Sequence, residues 1–259
     1  MCGRYSATKS PATLAVEFEA TDGTGVEAPS ADYNVAPTKP VVAVVQRHPR
    51  DEQGVADQSR TVRSLRVMRW GLVPHWAKNR AMGATMINAR ADTAATKPAF
   101  RSSLAKRRCL LPADGWFEWR RAGKAKQPFF MTRRDGASLA FAGLWSTWHD
   151  PAAAVADPPL ITCAVLTTDA VGPLADIHDR MPLLLPADEW ANWLDPDRPD
   201  VAGLLSTPDD SVAESLELRP VSDAVNNVRN NGPELVAPAA ETVDLDELSL
   251  FDPPRITSP

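Results

Sequence analysis

Cys109-Leu110-Leu111-Pro112-Ala113-Asp114-Gly115-Trp116-Phe117-Glu118-Trp119-Arg120 contains two short β-prone runs, residues 109–112 and 115–120, broken at the turn-forming pair Asp114-Gly115. Similar runs follow at 128–133, 139–145 and 160–168, separated by turns rich in Gly, Pro, Asp or Lys, so hairpins are the expected connections. Upstream, 41–47 and 61–70 are also strand-like, with the polar stretch 49–60 between them as a hairpin loop. Tyr33-Asn34-Val35-Ala36-Pro37-Thr38 reads as a loop leading into that hairpin. Helical pieces are predicted after Ser10, as N-cap with Pro11 in the first turn, and at 98–106, 187–194 and 201–206. They are too few for a regular alternation of strand and helix. The expected fold is therefore α+β, a single domain with a β-barrel-like antiparallel core flanked by short helices over residues 1–237. Residues 238–259 read as an acidic, proline-containing tail that is disordered.

The 259 residues are 44% hydrophobic, enough for a sizeable core. Cys2, Cys109 and Cys163 are an odd number without metal-like spacing, which points to a reducing cytoplasm, no disulfide framework and no metal or cofactor. No apolar run approaches the ~18 residues of a membrane span and no signal-peptide profile opens the chain, so no membrane association is expected. The net charge of −5 conceals a division. Residues 1–149 carry 23 Lys+Arg against 12 Asp+Glu, or +11, and residues 150–259 carry 5 against 21, or −16. A basic front half can attract phosphates while an acidic back half preserves solubility.

The chain opens Met1-Cys2-Gly3-Arg4-Tyr5. Removal of Met1, which a small second residue permits, would leave amine and thiol on one residue. Such a 1,2-aminothiol attacks an aldehyde through nitrogen to give an imine, and its sulfur then closes a thiazolidine. An α-amino group has a reference pKa of roughly 7.7–8.0, so about a tenth of it is nucleophilic at neutral pH. Three further stretches concentrate reactive groups. Met86-Ile87-Asn88-Ala89-Arg90-Ala91-Asp92-Thr93 puts an amide and a guanidinium two apart, on one face of a strand. Asp114-Gly115-Trp116-Phe117-Glu118-Trp119 sets a carboxylate among aromatics, where desolvation raises its pKa toward the acid–base range. Ile177-His178-Asp179-Arg180-Met181-Pro182 offers an imidazole among charges. Taken singly, Asn88 also reads as a turn amide, Glu118 as an outward strand residue and His178 as a satisfied polar contact.

Taken together and in order, these stretches resemble the SRAP (SOS response-associated peptidase) family of abasic-site processing proteins. Trp70-Gly71-Leu72-Val73-Pro74-His75-Trp76, the 33–38 stretch and Pro220-Val221-Ser222-Asp223-Ala224-Val225-Asn226-Asn227 extend the resemblance over about residues 2–237. Asp92 departs from the family's usual glutamate, and the 49–60 loop and the tail look like additions. The resemblance implies a basic cleft for single-stranded DNA containing abasic sites, whose ring-opened sugar supplies the aldehyde. By similarity, Cys2 gives amine and thiol, Asn88 positions amine or sugar, Glu118 shuttles protons and His178 assists ring opening. The product is a covalent DNA–protein thiazolidine that shields the lesion. Arg4 and Arg90 are expected phosphate contacts, and Pro37 and Trp76 are expected to stack against or wedge bases. Trp70, Trp116 and Trp119 are expected in the core. A monomer is expected, cytoplasmic and nucleoid-associated in a bacterium. Two other readings stay open: a thiol autopeptidase that removes its own Met1, and a non-covalent single-strand binding module.

Overall fold

The computed structural model describes residues 2–239 apart from 124, 155 and 156, so most of the acidic tail lies outside the described residues. The first third runs β1 (Tyr5–Ala7), α1 (Pro11–Glu17), β2 (Thr21–Asp22), β3 (Asp32–Val35), β4 (Pro40–Arg47) and β5 (Val62–Trp70). The middle adds β6 (Asn88–Arg90), α2 (Ala91–Ala94), α3 (Arg101–Lys106), β7 (Arg108–Ala113), β8 (Gly115–Ala122), β9 (Ala125–Arg133), β10 (Leu139–Trp148) and β11 (Leu160–Asp169). The remainder supplies β12 (Arg180–Pro182), α4 (Trp190–Leu194), α5 (Ser211–Glu214) and β13 (Leu216–Pro220).

These strands form two sheets. The smaller has the order β13-β9-β8-β1-β3, and the larger β12-β11-β10-β7-β4-β5-β2. An additional parallel pairing of β11 with β5, Cys163 opposite Trp70, closes β5-β4-β7-β10-β11 into a circuit and gives the barrel-like core. β6 also joins β11 in parallel, Asn88 opposite Val165 and Arg90 opposite Thr167. The core is thus mixed rather than wholly antiparallel as the hairpin pattern suggested, because short strands return to β11 after long excursions. Two packed layers result. Cys2, Tyr5, Trp70, Trp116 and Phe141 are buried where the sheets meet, whereas Leu14, Phe18, Leu104 and Trp193 pack under α1, α3 and α4 on the other face of the larger sheet.

Ser10 caps α1 as read from sequence, its side chain accepting from Thr13 N–H, and Leu14 and Phe18 are buried behind it. The 33–38 loop is a correction: residues 33–35 belong to β3, paired with β1, and Asn34 is fully buried. Its amide donates to the carbonyls of Val225 (3.3 Å), Asn227 (3.1 Å) and Asn230 (3.0 Å), so a polar residue that signals a turn in sequence instead anchors the C-terminal segment.

Candidate active site

Period-two alternation delivers the reactive groups to one place. Trp116 and Glu118 share the inner face of β8, and Asn88 and Val165 share the matching face of β6 and β11. Gly115 starts β8 because nothing larger fits: a Cβ there would lie 2.3 Å from the Met131 carbonyl oxygen and 2.4 Å from the Phe130 ring. Cys2 has no exposed surface, and Asn88 Nδ2 donates to its carbonyl at 2.8 Å, fixing the start of the chain against β6. Asn88 Oδ1 is buried and has no partner among the described residues, an acceptor left for a ligand donor.

Burial dominates the electrostatics. Glu118 is 3% exposed, and desolvation pushes its carboxyl up to about 7, so it is half ionised at neutral pH. The Cys2 thiol is raised well above its ordinary value, first by burial and then by the Glu118 charge. His178 lies on the turn before β12, its Nε2 3.9 Å from Glu118 Oε2. Its Nδ1 lies 3.0 Å from the Arg180 N–H, and burial lowers its pKa, so the ring is neutral at neutral pH. Asp179 Oδ1, 2.8 Å from Nδ1, opposes that lowering. An acid–base pair therefore stands beside a thiol and an unused amide oxygen, with no metal-binding group of three or more His, Cys, Asp or Glu among the described residues.

A cleft of about 410 Å³ opens here, lined by Glu118, Trp119, Arg121, Lys126, His178 and Asn226. Trp119 is the second correction: Trp70 and Trp116 are core residues, but Trp119 is partly exposed and its indole N–H donates to Asn226 Oδ1 at 2.8 Å. Arg121, Lys126 and Asn226 belong to this wall and were not singled out from sequence. Alternation along β8 puts Trp119 and Arg121 on the face opposite Glu118, so the hairpin to β9 that brings Lys126 opposite Arg121 was the available signal.

None of the four other expected residues lines this cleft. Arg90 is exposed and ion-paired with Asp92 at 2.7 Å, Trp76 is 49% exposed, and Pro37 is half-buried beside Thr38 at φ 74°. Arg4 differs from a simple phosphate contact. Its Nη1 donates to Asn34 Oδ1 at 2.7 Å and to the Val225 carbonyl at 2.8 Å, tying β1 to β3 and the C-terminal segment.

The chain matches the family model described as SOS response associated peptidase (SRAP) over residues 1–228. It is 34% identical over 237 residues to the abasic site processing protein YoqW of Bacillus subtilis (strain 168), covering 91% of this chain and 99% of that protein. It is 33% identical over 246 residues to the abasic site processing protein YedK of Escherichia coli (strain K12), with coverage of 92% and 100%. A crystal structure of a protein from Bacteroides thetaiotaomicron superposes with a TM-score of 0.74 at 24% identity, covering 92% of this chain and all of that one, and so supports the fold. Cys2, Asn88, Glu118 and His178 all fall within the matched span, and the chain belongs to the SRAP family.

Proposed function

We propose that this chain captures abasic sites in single-stranded DNA as a covalent thiazolidine on Cys2. The observation that carries the reading is the convergence of Cys2, Asn88, Glu118 and His178 described above; relatives named abasic site processing proteins supply the substrate. After loss of Met1, the Cys2 amine adds to the open-chain sugar aldehyde to give a carbinolamine. Glu118, half protonated at neutral pH, donates the proton with which water leaves, which gives the iminium ion and the Glu118 carboxylate. The thiol then adds to the iminium carbon while the Glu118 carboxylate takes its proton and the C=N electron pair returns to nitrogen, closing the neutral ring and restoring protonated Glu118. Asn88 Oδ1 accepts from the amine or from a sugar hydroxyl, and the His178 ring assists opening of the furanose. Arg90 contacts a flanking phosphate, and Trp76 and Pro37 border the displaced bases.

Intact mass and a denaturing gel on an abasic oligonucleotide test this directly. The expected result is a protein lacking Met1 that gains the mass of the oligonucleotide less one water. Cys2→Ala is expected to lose the heat-stable band while non-covalent affinity stays within a few fold, since charge and not the thiol supplies binding. A normal yield from Cys2→Ala would remove the thiazolidine. No denaturation-resistant band from the wild type would leave the non-covalent module.

The autopeptidase reading draws on the same pair, a thiol beside a carboxyl near pH 7. It requires that loss of Met1 in a host without methionine aminopeptidase activity stop in Glu118→Gln; loss at the normal extent excludes it.

A further inference from the structure

A second cleft, of about 490 Å³, opens at the base of the 49–60 hairpin, on the same face of the larger sheet as Asn88. Strand alternation explains its lining. Ala43 and Val45 face inward on β4, and Arg47 continues that face; Ser64, Arg66 and Met68 do the same on β5. Trp145 completes the lining, and Arg107, two residues before the inward Cys109, stands just outside it against the same indole. The Arg47 and Arg107 guanidinium carbons lie 5.0 and 5.8 Å from the Trp145 ring centroid, so the indole face holds both cations in place. Arg50 lines the same cleft and donates to the Gly54 carbonyl in the hairpin.

Among the described residues, no carboxylate lines this cleft and none of the four arginines has a carboxylate partner. Three nearby acids are engaged elsewhere, Asp57 with Arg60 and Asp197 with His48, each at 3.0 Å, and Asp51 with the Gln53 and Val55 N–H groups. Three arginines elsewhere, Arg90, Arg133 and Arg219, each hold an acid two residues away. Burial first, and then the charges of Arg50, Arg66 and Arg107, pull the Arg47 guanidinium below its ordinary value. The arrangement costs the free protein repulsion that an incoming anion would relieve.

We propose that Arg47, Arg50, Arg66 and Arg107 form a second phosphate-binding cleft for the backbone of the DNA strand whose lesion is held at Cys2. The charges are spread over the adjacent strands β5, β4 and β7, about 10 Å across, which suits successive phosphates better than one. Ile161, in the cleft, and Val165, opposite Asn88, lie four residues apart on β11, about 13 Å. Cys163, between them, and Val165 itself are buried, so a strand reaches the cleft only around the outside of the barrel, by more than the roughly four nucleotides that 13 Å would take at about 3.4 Å each. This extends the DNA-capture reading, and its test uses undamaged DNA so that the two fail separately.

The double variant Arg47→Gln/Arg66→Gln of the full chain is compared with wild type by fluorescence anisotropy on an undamaged single strand of about 16 nucleotides, across a salt series. The expected result is a 5- to 20-fold loss of affinity at low salt and a salt slope shallower by about 1.4, two contacts at roughly 0.7 each. An abasic oligonucleotide of about four nucleotides should still be captured at the wild-type rate, confirming an intact site. Unchanged affinity and slope in the folded double variant overturn the proposal. It is also overturned if inorganic phosphate raises the wild-type melting temperature but not the variant's while strand binding is equal in both, which would assign the cleft to free anions. If the double variant does not fold, Arg107→Gln is read on the same assay, where a slope change of about 0.7 supports the cleft and none refutes it. A wild type that binds the strand but forms no adduct refutes the capture chemistry alone.

Discussion

Glu118 has an ordinary carboxyl in an environment that disfavours its charge, and the sign of that effect is measurable. Its pKa rises from about 4.5 in the unfolded chain to about 7 in the fold, so folding is opposed by ionisation. Below pH 4.5 both states are protonated and nothing is lost. As pH rises toward 7 the unfolded state ionises first and stability falls, and above 7 the full penalty applies. Glu118→Gln removes this dependence, so urea unfolding of wild type and variant at pH 5 and pH 8 is expected to show the variant gaining about 2–3 kcal/mol relative to wild type between the two. The same substitution removes the proposed proton shuttle. Adduct formation and release onto a competing aldehyde-bearing strand should both slow, with the final yield little changed, because a catalyst acts on both directions of one equilibrium. His178→Ala should slow formation most, since sugar opening comes first; strand-exchange time courses separate the two. Release at the wild-type rate in Glu118→Gln would exclude the shared acid–base role.

At the scale of elements, the site depends on β1, β6 and β8 holding register. Gly115→Ala forces a Cβ into the Met131 carbonyl and the Phe130 ring, so a loss of about 2–3 kcal/mol is expected in denaturant unfolding, with adduct formation slowed as the face bearing Glu118 shifts. Arg4→Ala is expected to cost about 2 kcal/mol through its lost bonds to Asn34 and Val225. A full phosphate-contact change in salt slope with stability intact would restore Arg4 to the DNA surface. β7 to β11 were legible in the sequence because each is a β-prone run punctuated by a turn and paired mainly with near neighbours. β3 was not, since Tyr-Asn-Val-Ala-Pro-Thr carries turn residues and owes its strand form to distant partners. The parallel joins of β6 and β5 to β11 were equally hidden, because local pattern carries no information on which strand returns to which edge.

For the whole molecule, the division between a basic front half and an acidic back half was visible in composition, and the ordered motifs brought Cys2, Asn88, Glu118 and His178 to one site. What the motifs did not disclose was the wall around them, Trp119, Arg121, Lys126 and Asn226, which depends on hairpin pairing and on a segment a hundred residues away. Deleting residues 242–259 is expected to leave adduct formation intact or slightly faster, since acidic residues compete with DNA for the basic surface; a large loss of activity in gel time courses would give the tail a structural role. Arg90→Ala should shallow the salt slope by about 0.7 across all sequences.

Cys2 lies wholly inside the core, with its sulfur proton held tightly. Peroxide and alkylating electrophiles consume thiolates that solvent can reach, so this warhead keeps in storage where an exposed one would be spent. Iodoacetamide should therefore label Cys2 slowly in the resting protein. On the capture reading proposed above, the oxidants that strip bases from DNA would thereby spare Cys2.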